Sequence, residues 1–421
     1  MLKKIFFVQW ENWRVGKMNK RLFICADRNF PRGDAGSNRI LFMAKALQEK
    51  GWKVIVISTG KRNKQDYNKE KDEYMYDGIT YYNITFPDNK IKRIFEHYFL
   101  LGNMFISAMK DKFSCSNEDK ILLYTSNLSF SEKLVKYAGK EKIGIACDIV
   151  EWHQPFQFEG ADKSWIYRKT MYPMYHKFFY KVAPSAKNII AISNCLKEHF
   201  VGEGCNTIVV PIYVDIDKRK KLVFSSDEEY VNLIYPGNPY KKDDFESMVG
   251  SLMCLSEGER KRIKLHLTGA SLASYKASAP GCEDIIDKYI EQGVIIYHSW
   301  MEYTELMDLY EHVDFALLPR PINLTTQANF PSKVPEMMNK GIPVIMNRVG
   351  DISEYLSNNV DAILYDGEGA EKCASALRRV LGMTANEKNQ IKRNAYDSAA
   401  EKFDYHLCGL QLDEFFSKLQ R

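Results

Sequence analysis

The chain has 421 residues, 45% of them hydrophobic and 27% charged, with a formal net charge of +5. That length is too great for one ordinary domain and predicts two, with ample core for a soluble globular protein. Nine cysteines, an odd number without a C-x-x-C pair, exclude a complete intrachain disulfide set and a structural zinc site, and fit a reducing cytoplasm.

The mild basic excess suits a phosphate-bearing ligand or an anionic membrane surface and requires neither. Nothing in it points to nucleic acid. Residues 1–17 are expected to be a leader or a misassigned start. MLKKIFFVQW holds a basic pair and a brief apolar run without a cleavage site, and Met18 directly precedes the first strong strand. Arg21 to Ala26 is that strand. The loop DRNFPRGDAGSNR follows, without the G-x-G-x-x-G of a dinucleotide site. An amphipathic helix from about Ile40 to Lys50 and a strand from Trp52 to Ser58 complete a βαβ opening. Lys61 to Asp77 is charged and reads as a surface loop, and Ile79 to Ile84 as a strand.

Lys90 to Lys112 reads as a long helix rich in aromatic and basic residues, lying either on the first domain's core or on a membrane surface. The apolar run Tyr98 to Met109, broken by Gly102 and Asn103, is too short to span a bilayer. Strands follow at Ile121 to Tyr124, Ile143 to Asp148 and Ile189 to Ile192, separated by helical patterns. That alternation predicts a parallel, doubly wound sheet. VVPIYVD and the charged stretch through Glu229 mark a domain boundary. A second series has strands at Val231 to Tyr235, Ile263 to Thr268, Gly293 to His298, Phe315 to Leu318 and Val344 to Met346. From Ala370 the pattern is helical to an aromatic-rich tail, Phe403 to Leu419. Asn-x-Ser/Thr triplets at Asn83, Asn127 and Asn323 are chance matches if the compartment is reducing.

Four stretches carry chemistry. In FPSKVPE (Phe330 to Glu336), Ser332 is placed to cap a helix whose first amides, with Lys333, would hold a diphosphate. Glu336 would accept hydrogen bonds from a vicinal diol such as a ribose. A plain capped helix with an exposed Lys and Glu would read the same way. PGNPYKKDD offers Gly237 for close approach of a ligand to backbone, with Asn238, Lys241 and Lys242 beside it, or is simply a tight turn with solvated lysines. CDIVEWHQPFQF gathers Asp148, Glu151 and His153 at a strand end, where they would position an acceptor hydroxyl or take its proton, or else satisfy the loop backbone. Trp152 reads as packing. Asp351 and Glu354 have capping-box-like spacing, and Arg320 and Arg348 are loop arginines with an anion or a surface role. No Walker A, G-x-S-x-G, H-E-x-x-H or paired-Asp metal motif occurs, so the chemistry is expected to rest on positioning a phosphate leaving group without a cofactor.

Taken together, GSNR…ALQEKGWKVIVIS, IIAISNCLKEHF, VVPIYVD, YPGNPYKKDD and LLPRP…FPSKVPEMMNKGIPVIMNRVGDISEYL resemble family 4 glycosyltransferases of the GT-B fold, in the family's order and over most of the chain. The resemblance implies two Rossmann-like doubly wound domains facing across a cleft. The first, 18–216 plus a C-terminal helix at about 402–421, would hold a glycan or lipid-linked acceptor. The second, 217–401, would hold a nucleotide-diphosphate sugar.

On that basis Ser332 and Lys333 would contact the diphosphate, Glu336 the ribose, and Gly237 with Lys241 or Lys242 the phosphate from the opposite wall, with Asn238 and Arg320 also at the donor. Gly36 would lie near the donor, and Asp148, Glu151 and His153 by the reacting centre. Transfer would be retaining and metal-independent, in bacterial cell-surface polysaccharide synthesis. The protein would work in the cytoplasm or at the inner face of the plasma membrane. One departure stands out: many members carry a second glutamate eight positions before Glu336, where this chain has Ala328. A sugar-nucleotide epimerase and a non-enzymatic two-domain binding protein are the competing readings.

Overall fold

The computed structural model describes residues 20–32, 34–60, 63–69, 73–158, 165–216, 221–224, 229–239 and 241–419, so the expected leader 1–17 lies outside the described residues. The chain divides into two compact units, Met1–Tyr213 with Tyr405–Arg421, and Val214–Asp404.

In the first unit the described strands are β1 (Arg21–Asn29), β2 (Lys53–Thr59), β3 (Tyr67–Asn68), β4 (Glu73–Tyr76), β5 (Ile79–Ile84), β6 (Lys120–Tyr124), β7 (Gly144–Ile149), β8 (Asn188–Ala191) and β9 (Asn206–Val209). They form one sheet in the order β3-β4-β5-β2-β1-β6-β7-β8-β9. The β1–β2, β1–β6, β6–β7, β7–β8 and β8–β9 pairs are parallel, with helices in the crossovers. The centre of the sheet is covered on both faces, which is why β1 and β7 are near-continuous apolar runs, buried at Leu22 to Ala26 and throughout Gly144–Ile149.

Two sequence expectations need correction here. The charged 61–77 segment is not only loop, because β3 and β4 add an antiparallel edge to β5. The first helix runs Ala35–Glu49, well before Ile40, because Asp34 accepts a hydrogen bond from the Ser37 amide and so offsets the poor helix propensity of Gly36 and Asn38. The Gly409–Lys418 helix returns to this unit, where Asp413 accepts from Lys20 and from Trp52 Nε1, and Phe416 packs edge-on against Trp52 at 5.9 Å. The Asn-x-Ser/Thr asparagines have structural work: Asn83 is buried and donates to the Phe30 carbonyl, while Asn127 and Asn323 cap helices.

The second unit has β10 (Val231–Pro236), β11 (Ile263–Thr268), β12 (Ile295–Tyr297), β13 (Phe315–Leu317), β14 (Val344–Asn347) and β15 (Ile363–Tyr365), ordered β12-β11-β10-β13-β14-β15 and parallel throughout. Parallel strands put all their carboxyl ends on one edge of the sheet, the edge at which ligands bind doubly wound folds. The loops singled out in the sequence leave from that edge.

Candidate functional site

In the second unit, β10 and β11 end in glycines with positive φ, Gly237 at 95° and Gly269 at 84°. A Cβ on Gly269 would fall 3.0 Å from the Gly237 Cα, so the two turns nest because neither has a side chain. The Gly237 amide donates to the Thr268 carbonyl and Tyr275 Oη to the Gly237 carbonyl, fixing the turn from both sides. Asn238 and Lys241 are exposed and Lys242 is half-buried.

Opposite this turn the Lys333–Met338 helix begins, with Lys333 Cε 3.8 Å from the position a Gly237 Cβ would take. Lys333 Nζ donates to Tyr235 Oη and to Asp243 Oδ2, each at 2.9 Å, and Tyr235 Oη donates to the same carboxylate oxygen at 2.7 Å. The ammonium also sits 4.2 Å from the Tyr235 ring centroid. Asp243 thus provides the negative charge for a lysine aimed at the glycine turn. The sequence reading missed both Asp243 and Tyr235.

Three expectations change in this unit. Ser332 precedes the helix but makes no side-chain cap hydrogen bond, because its backbone is already helical (φ −61°, ψ −28°), not extended as a cap requires. Asp351 likewise makes no cap hydrogen bond to the Ile352–Tyr355 helix, so the expected capping box is not formed. Arg320, placed at the donor from sequence, is 3% exposed; Nε donates to the Lys242 carbonyl and Nη2 to Asn329 Oδ1. It braces the lysine loop from inside the wall. Arg348 pairs with Asp366 at 2.9 Å on the surface.

Glu336 is the electrostatic anomaly. Burial raises its carboxyl from the ordinary 4.5 to about 7, against the opposing charges of Lys333 and Lys340. Among the described residues no hydrogen bond reaches its carboxylate. A desolvated carboxylate without a donor is costly to keep and is the group most improved by a ligand bringing hydroxyls. Ala328 is fully buried and closes the Leu324–Gln327 helix. Its neighbour Gln327 accepts from the Gly350 amide, so the chain uses this turn to hold backbone.

The first unit holds a cavity of ≈ 450 Å³ at the carboxyl ends of β1, β6 and β7, lined by groups that include Asp27, Arg28, His97, Asn127, Glu151 and His153. His153 Nε2 lies 3.1 Å from Glu151 Oε2, and Tyr175 Oη donates to the Glu151 carbonyl while accepting from the His153 amide. His97 Nε2 lies 3.0 Å from Asp27 Oδ2, which raises the imidazole pKa, and Asn127 donates to the same oxygen. Two carboxylate–imidazole pairs therefore line one cavity, and the sequence reading found one of them.

Asp148 is a correction. Arg39 Nε and Nη2 each donate to it at 2.8 Å, the side chains are 2% and 0% exposed, and Arg39 Nη1 donates to the Val210 and Pro211 carbonyls. Its charge is committed to this ion pair and is not available to take a proton from an acceptor. Gly36 packs beside the cavity: a Cβ there would lie 2.8 Å from Arg28 Nε and from Tyr124 Oη, two of the lining groups. Trp152 packs against Phe179 and His199 and donates to Tyr180 Oη, as its packing role predicts.

Residues 231–383 match the family model "Glycosyl transferases group 1". No curated protein matches the chain in sequence. Similar solved structures include sucrose-phosphate synthase from Thermosynechococcus elongatus, with 14% identity, TM-score 0.68, and 95% of this chain and 99% of that one covered. A glycosyltransferase from Rickettsia africae has 14% identity, TM-score 0.65, and coverage of 95% and 99%. HepE from Anabaena, solved in complex with UDP, has 13% identity, TM-score 0.62, and coverage of 95% and 100%. These likenesses establish a GT-B fold built from two Rossmann-like domains, the second carrying the glycosyl transferase segment.

Proposed function

We propose that the protein is a retaining, metal-independent glycosyltransferase that moves a sugar from a nucleotide-diphosphate sugar to a glycan or lipid-linked acceptor in cell-surface polysaccharide synthesis. The observation that carries the proposal is the group formed by the Gly237 turn, Lys333 and Glu336, inside the segment that matches the glycosyl transferase family. Anabaena HepE, solved with UDP-glucose, lends support to the donor class.

On this reading the donor diphosphate takes the place of Asp243 as the partner of Lys333 Nζ, and approaches the backbone at Gly237 where no Cβ intervenes. Ribose hydroxyls donate to the half-buried Glu336 carboxylate, which accepts no hydrogen bond from the described residues. Lys333, helped by Lys241 and Lys242, stabilises the negative charge that grows on the diphosphate as the glycosidic bond breaks. In the first unit, the Glu151–His153 pair holds the acceptor hydroxyl and draws its proton, with Gln157 near the other imidazole nitrogen at 3.3 Å.

The test is turnover by Lys333→Ala and Glu151→Gln with candidate donors, each variant also incubated without acceptor. Loss of transfer in both is expected. Full turnover in Lys333→Ala, or epimerisation of the donor without acceptor, would overturn the proposal.

A further inference from the structure

We infer that the face made by Lys90–Leu100 and the start of the Trp165–Lys177 helix docks on an anionic lipid bilayer, which brings a membrane-borne acceptor to the first unit's cavity. The acceptor half rests on the function proposed above.

No residue of the Lys90–Phe95 helix is buried. Ile91 is 81% exposed, Ile94 48%, Phe95 53% and Phe99 60%, and the Phe95 and Phe99 rings lie 5.2 Å apart. Positions 91, 94, 95 and 99 share one side of a helix. A helix that packs on its own domain turns such a stripe inward. Here the stripe faces solvent, so the reading that placed this helix on the core fails for its first turns and holds only further along, where Leu101, Phe105 and Met109 are buried.

The charges beside the stripe are mainly basic. Lys90, Lys92 and Arg93 stand against Glu96 alone, and none of these three bases has an ion pair among the described residues. The Trp165–Lys177 helix contributes exposed Lys169 and contains no acidic residue, and Trp165 at its start is 67% exposed. Exposed Ile, Phe and Trp between basic residues are what a helix lying in a lipid headgroup layer carries. No helix among the described residues is long and apolar enough to cross a membrane.

The face and the cavity share their walls. Tyr98 Oη lies 3.8 Å from Met171 Sδ, joining the two helices, and His97, Tyr98, Met171 and Met174 line the cavity. A bilayer under Phe95 and Trp165 would therefore lie beside the Asp27–His97 wall. A polar head carried on a lipid would enter the cavity while its chains stayed in the membrane.

The experiment is co-sedimentation of the full chain with sucrose-loaded vesicles of phosphatidylglycerol and phosphatidylcholine, and of phosphatidylcholine alone. Binding to the anionic vesicles and little to the neutral ones is expected. Each basic residue near an anionic surface is worth about fivefold in partitioning, so Lys90→Ser/Lys92→Ser/Arg93→Ser should lose about a hundredfold. Phe95→Ser/Phe99→Ser should lose tenfold or more. Both variants alter exposed side chains, so unchanged melting shows that they remain folded. No binding to anionic vesicles, equal binding to neutral ones, insensitivity to both variants, or a dimer dispersed by Phe95→Ser/Phe99→Ser in place of vesicle binding would overturn the inference. Stabilisation by a nucleoside diphosphate is read on the same preparations. If it persists while vesicle binding fails, only the docking falls; if it is absent, the proposed function falls whatever the vesicles show.

Discussion

Replacing Glu336 by glutamine should make the protein more stable above neutral pH while removing donor binding. Burial lifts this carboxyl from the ordinary 4.5 to about 7. The folded chain therefore holds the proton more tightly than the unfolded chain, so the stability it lends is full below pH 4.5 and lost as pH rises through 7. Each pH interval between the two values is worth about 1.4 kcal/mol, so at pH 8 the ionised carboxylate costs about 3 kcal/mol. The amide is neutral at every pH and avoids that cost. For the Val214–Asp404 unit this corresponds to about 6–12 °C in Tm. Calorimetry of Glu336→Gln against the parent should show a gain of that order at pH 8, shrinking to little at pH 5. A gain independent of pH, or no gain at pH 8, would refute the argument that desolvation of Glu336 is held ready for ligand hydroxyls.

Other predictions follow from single contacts. Asp243→Asn removes the competing charge on Lys333 and should tighten nucleoside diphosphate binding several-fold by calorimetric titration, while Lys333→Ala should weaken it at least tenfold. Asp148→Asn leaves Arg39 buried without its counter-charge and should cost about 3–5 kcal/mol in denaturant unfolding; normal stability would contradict the account of the ion pair. His153→Ala should lower turnover by about 10²–10⁴ with donor affinity unchanged, since a general base acts only on the reacting proton.

How much of this was legible in the sequence depends on range. The buried strands β1, β7 and β10 announce themselves because parallel sheets covered on both faces need near-continuous apolar runs, and β11 does so by its alternation of buried Ile and Leu with half-buried Lys264 and His266. β3 and β4 do not, because an edge paired on one side tolerates charge and β3 is two residues long. Gly237, Lys333 and Glu336 could be picked out because short motifs encode turns and helix starts locally. The partners that decide what those groups do could not: Asp243 is 90 residues from Lys333, Arg39 is 109 from Asp148, and Asp27 is 70 from His97. Local pattern therefore identified Asp148 as a reactive carboxylate, and only the tertiary contact reveals it as a strut. Ser332 failed for a subtler reason, since residue type favours a cap that its backbone angles do not allow.

The most direct test of the central claim is a thermal-shift panel of nucleoside diphosphates on the parent chain and on Lys333→Ala. A ligand at a hundred times its Kd adds about 2.7 kcal/mol to the folded state, which is readily visible as a rise in Tm. The account predicts that at least one nucleoside diphosphate raises the parent's Tm and leaves that of Lys333→Ala unmoved. Equal shifts in both proteins, or none in the parent with any base, would contradict it.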